Sequence, residues 1–84
     1  MGSARVIKAD GTEELLDHRP SLEEAQKIVG GYIEFAYCPS GLTLVVDEEG
    51  RLKNKPANPR ATAIYQRSLI VGDVILLEGW KTVG

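Results

Sequence analysis

The chain has 84 residues, a net charge of −2, 43% apolar side chains and 26% charged ones. That length holds one small domain, 1–84, whose modest core would gain from association, and the composition excludes a disordered polyelectrolyte. One cysteine excludes an internal disulfide framework and a Cys-based zinc site, which points to a reducing, cytoplasmic setting, and no run of about 18 apolar residues is present to cross a membrane. The first residues show no charged-then-apolar signal, and Val6 stands where a myristoylation motif needs Ser or Thr.

Val6 and Ile7 begin a short apolar stretch, Asp10-Gly11 is a two-residue hairpin signal, and Thr12–Leu16 can return as a second strand, weakened by Glu13 and Glu14. His18-Arg19-Pro20 breaks the chain. Ser21 and Glu24 then form a capping box, with Leu22, Ala25, Ile28 and Val29 on one helical face and Gly30-Gly31 as the left-handed stop. Tyr32–Tyr37 alternates as a strand, with Ile33, Phe35 and Tyr37 on one face and Glu34 and Ala36 on the other. Cys38–Gly41 is a turn, and Leu42–Val46 is the returning strand. This hairpin is expected at the centre of the sheet. Arg51–Asn58 reads as a loop. Asn58-Pro59 then starts a second helix to about Gln66, with Ala61, Ile64 and Tyr65 facing inward. A last strand is expected at about Val71–Leu77, carried by Val74-Ile75-Leu76-Leu77 with Gly72-Asp73 as its tight entry turn, and Trp80 is the one large anchor of the tail, packed on the sheet or against a partner subunit. The order β(β)αββαβ predicts an α+β domain, with a mainly antiparallel sheet of four to five strands and two helices.

Charge is unevenly placed. Arg51, Lys53, Lys55, Arg60 and Arg67 lie between Gly50 and Gly72, a window without one acidic residue. The positive end of the second helix falls inside it, so Asn58, Arg60, Lys53 and Lys55, supported by Arg51 and Arg67, form a candidate site for a small anion such as a nucleotide or phosphate. The simpler alternative is a solvated loop in which Asn58 is only a cap, and it is the more common arrangement. Asp47-Glu48-Glu49-Gly50 is acidic but lacks the alternating oxygen ligands of a calcium loop, so it is expected to be a turn that pairs with the basic loop or with a second subunit.

His18 and Cys38 are the single residues of their kinds, and nothing in the sequence supplies an orienting third group for a nucleophile pair. No phosphate-binding, dinucleotide, HExxH or GxSxG signature occurs, so no cofactor and no catalytic residue is expected. The aromatic strand carries Glu34 and no basic residue, and the chain is acidic overall, which makes a nucleic-acid module the weakest reading.

Four blocks in sequence carry a family resemblance. These are Ile28-Val29-Gly30-Gly31-Tyr32-Ile33-Glu34, Val45-Val46-Asp47-Glu48-Glu49-Gly50, Asn58-Pro59-Arg60-Ala61-Thr62 and Ile70-Val71-Gly72-Asp73-Val74. Over Ala4 to Glu78 the chain resembles the domain-of-unknown-function family 3846 of bacteria, phages and mobile elements. That family more often has Leu-Pro-Leu-Asn where this chain has Lys55-Pro56-Ala57-Asn58. The resemblance implies a small cytoplasmic protein and brings no activity with it. The expected function is a non-enzymatic accessory or protein-interaction domain, acting as a homodimer, with the small-anion binder as the alternative.

Overall fold

A computed structural model describes residues 2–84. Five strands form one antiparallel sheet: β1 (Ser3–Ile7), β2 (Glu13–Leu16), β3 (Ile33–Tyr37), β4 (Thr43–Asp47) and β5 (Val74–Glu78), in the spatial order β2-β1-β5-β4-β3. Two helices complete it, α1 (Leu22–Val29) and α2 (Pro59–Tyr65). The α+β class and the element order agree with the sequence reading.

The place of the β3–β4 hairpin differs. The strand at the centre is β5, last in the chain, and β3 lies at an edge. The cause is visible in composition. Val74-Ile75-Leu76-Leu77 is apolar on both faces, so it is most stable with a neighbour on each side and a helical layer on each face, whereas β3 carries Glu34. β5 also starts three residues later than expected. Gly72 takes a positive φ of 75°, and before it Val71 makes only an isolated bridge to Ala57. β1 in turn starts earlier, at Ser3, because pairing with β5 extends it past its apolar end.

The two faces of the sheet bury separate clusters. On one face α1 lays Ala25 and Val29 over Ala4, Val45, Ile75 and Leu77. Its start is fixed by the expected capping box: Ser21 Oγ accepts from the Glu24 N–H, and Glu24 Oε1 accepts from the Ser21 N–H. Gly30 ends it in the left-handed conformation. Leu22, expected on the buried face, stands 48% exposed in the first turn. On the other face α2 sets Ala61 over Ile7, Leu44, Ile70 and Val74, with Ile64 and Tyr65 packed at the margin as expected. Trp80 is not left free for a partner. It packs against the α1-side cluster, with the Arg19 guanidinium 5.9 Å from its ring centroid and Gly2 so close that a Cβ there would fall 2.5 Å from the ring.

Candidate functional site

The basic window is drawn into the fold by several separate partners. Asn58 is wholly buried. Its Nδ2 donates to the Ile7 carbonyl at 3.0 Å and to the Gly72 carbonyl at 2.8 Å, while Oδ1 accepts from the Ala61 N–H at 3.1 Å. This one amide caps α2 and ties β1 to the turn that leads into β5, so every polar atom it has is engaged. Lys53 and Lys55 meet on the buried Asp47 carboxylate, at 2.9 and 2.6 Å. Both then donate to the free carbonyls at the end of α1, Lys53 to Gly30 at 3.1 Å and Lys55 to Val29. Cations at a helix C-terminus are favoured by its dipole, and here they also satisfy orphan carbonyls.

The other three cations lie elsewhere. Arg60 pairs with Glu13 of β2, which also accepts from Arg5. Arg51 donates to the Leu69 carbonyl at 2.6 Å. Arg67 is exposed and lies near enough to Cys38 to act on its thiol electrostatically. The structure therefore brings together Lys53 and Lys55, around a carboxylate of the protein itself, and does not gather the six candidate anion ligands into one cradle. The expected pairing of the acidic turn with the basic loop is what these lysines make. Burial pushes the Asp47 carboxyl upward, but hydrogen bonds from Lys55 and Lys53 and from the Glu49 N–H outweigh it and hold the group at about 2.

Cys38 and His18 do not form a pair. Cys38 is buried in the cluster under α2, and burial pushes its thiol up, away from the reactive thiolate. His18 lies against the first turn of α1 with both ring nitrogens taken: Nδ1 by Asp17 and Nε2 by Glu24, each at 2.6 Å. The Asp17 contact, then the Glu24 contact, raise its pKa above 6.5.

What remains unengaged is the β3 edge. In an antiparallel pair, alternate residues direct their N–H and C=O toward the neighbour and the intervening ones direct theirs away. The Glu48 N–H donates to the Tyr32 carbonyl and the Cys38 N–H to the Leu42 carbonyl, so residues 32, 34, 36 and 38 face β4. The backbone of Ile33, Phe35 and Tyr37 therefore points outward, and among the described residues no strand lies beyond it. The row has defined ends. The Gly31 N–H is already donated to the Gln26 carbonyl, and Pro39 has no N–H. Phe35 and Tyr37 are stacked beside this row with ring centroids 6.5 Å apart, and Tyr37 is 54% exposed. On the opposite face Glu34 and Ala36 border a groove of about 310 Å³, closed by Val46, Tyr65, Leu69 and Ile70.

The other edge is different in kind. β2 is four residues long, holds Glu13 and Glu14, and is tied down by Arg5 and Arg60. Short length and charge are the ordinary means of keeping an edge from pairing. β3 carries one charge, Glu34. The signal that could have found this site is the lack of charge along β3. It required knowing that β3 is an edge, which the sequence did not disclose.

Fold and surface together define a small antiparallel α+β domain with one guarded sheet edge and one open edge. By sequence the chain belongs to the domain of unknown function family DUF3846, whose model matches residues 4–82. No curated protein and no solved structure matches it. Among the described residues no helix is long and apolar enough to cross a membrane.

Proposed function

We propose that this chain is a non-enzymatic accessory domain of bacterial or phage-encoded cytoplasmic biology, and that it works as a homodimer joined along β3. The observation that carries this reading is the contrast between the edges, since an edge strand with a single charge and no ion pair to hold it is a template for another strand. The non-enzymatic part is supported by the state of the two reactive side chains: the Cys38 thiol is buried, and both nitrogens of His18 are held by carboxylates. The cytoplasmic part is supported by that same free cysteine. A small-anion function finds no comparable support, because Asn58, Lys53 and Lys55 are engaged within the fold.

Sedimentation velocity across the micromolar range tests the reading. The expected result is a reversible monomer–dimer equilibrium that Tyr37→Lys shifts toward monomer by about two- to thirtyfold, because one misfitted cross-strand contact per half-interface is worth roughly 0.2–1 kcal/mol and is counted twice. A species that stays monomeric at every concentration would overturn it.

A further inference from the structure

The outward row on β3 has a property that selects its occupant. Ile33, Phe35 and Tyr37 are evenly spaced, and Phe35 is the middle one. We infer that the strand paired with β3 is β3 of a second copy, antiparallel, with the two-fold axis passing through Phe35. This rests on the partner-binding reading above and fixes its register.

Closed two-fold pairing of antiparallel edge strands requires one residue to face its own copy. With Phe35 in that place, Ile33 faces Tyr37 of the second copy, and all three outward residues find hydrogen-bonded partners, giving roughly six N–H···O=C bonds. Moving the axis to Glu34 or Ala36 leaves only two of the three matched within the strand and roughly four bonds. With the axis on Ala36, Ile33 would meet Pro39, which cannot donate.

Side chains select the same register. An axis on Glu34 sets two carboxylates directly opposite in a close, non-hydrogen-bonded pair, whereas an axis on Phe35 sets each Glu34 opposite Ala36. On the α1 face the same register places Phe35 against its copy and the exposed Tyr37 over Ile33, the aromatic–aromatic and aromatic–β-branched pairs that stabilise sheets. β2 fails the same comparison. An axis on Glu14 opposes two glutamates, and an axis on Leu15 sets Glu13 against Asp17. The resulting dimer has one continuous sheet, in which the grooves bordered by Glu34 and Ala36 adjoin across the axis.

Mixed-cysteine crosslinking reads the register directly, in a Cys38→Ala background checked for native circular dichroism. Residues facing each other in a non-hydrogen-bonded pair have Cα atoms about 4.5 Å apart, within the range a disulfide spans. Glu34→Cys and Ala36→Cys chains, each alone and then mixed, are oxidised under mild conditions and run on a non-reducing gel. The expected result is a covalent dimer in the mixture and monomer in each chain alone. Crosslinking of Glu34→Cys alone, or of Ala36→Cys alone, moves the axis and overturns the register while the homodimer reading stands. A sample that sediments as dimer yet never crosslinks also overturns the register. A monomer in sedimentation removes both. Should Ala36→Cys disturb folding, an isotope-filtered NOE between Hα of Glu34 and Hα of Ala36 on differently labelled copies gives the same discrimination in the unmodified chain.

Discussion

Segment 51–67 and strand β3 reverse what their compositions suggest. The segment is rich in cations, yet Lys53, Lys55, Asn58 and Arg60 close contacts inside the fold, with Asp47, with the end of α1, with Ile7 and Gly72, and with Glu13. β3 is nearly neutral, yet among the described residues the outward backbone of Ile33, Phe35 and Tyr37 has no partner strand. Capacity for binding is set by which polar groups are left unmatched, not by how many charges a stretch carries. If this contrast is right, changes in the segment alter stability and leave association alone, while changes on β3 do the reverse.

The largest effect is expected at Asn58. Asn58→Ala removes the α2 cap and strands the Ile7 and Gly72 carbonyls in a buried site, which should lower unfolding free energy by about 3 kcal/mol in urea titration. Its monomer–dimer constant, measured where the variant is folded, should be that of the parent. A loss near zero would break the contrast by returning Asn58 to the surface role of a simple loop residue.

Asp47 comes next. Its carboxyl is held at about 2 against an ordinary 3.8, so the charged form is favoured in the folded chain. A depressed carboxyl contributes stability that is complete above about pH 4 and is lost as pH falls through 2, worth about 2 kcal/mol. Chemical denaturation from pH 6 down to pH 2 should show that decline, and Asp47→Asn should flatten it while lowering stability at neutral pH. An unchanged acid limb in Asp47→Asn would mean that Lys53 and Lys55 are not held by this carboxylate.

The smallest effect concerns His18, whose charged form is favoured by Asp17 and Glu24. Because the folded pKa is raised, its contribution is complete below about pH 6.5 and is lost as pH rises through the folded value. The Hε1 resonance should titrate above 6.5, and Asp17→Asn should bring the midpoint down. A midpoint at or below 6.5 would place the ring free in solvent.

How much of this was legible in advance follows from the range of the interactions. The Ser21–Glu24 capping box, the Gly30 stop and the Asn58-Pro59 start are local, and each appears where the residues require it. The central place of β5 is signalled by its unbroken apolar run, whereas the alternation of β3 suits a central and an edge position alike. The pairing of Lys53 and Lys55 with Asp47 was legible because the acidic turn and the basic loop are near in sequence, whereas the carbonyls of Val29 and Gly30 and the Glu13 partner of Arg60 could not be read, because only the folded topology brings them close. The open edge belonged to the same class. It depends on strand order and on hydrogen-bond parity, and neither is a property of β3 alone.

Amide hydrogen exchange at two protein concentrations, one below and one above the association midpoint, tests the central claim most directly. The N–H groups of Glu34 and Ala36 already donate toward β4, so their protection should follow fold stability alone. Those of Ile33, Phe35 and Tyr37 should exchange rapidly when dilute and slow markedly when concentrated, an alternating pattern along five residues. Equal exchange of these three amides at both concentrations would show that no strand adds to β3, and would contradict the account.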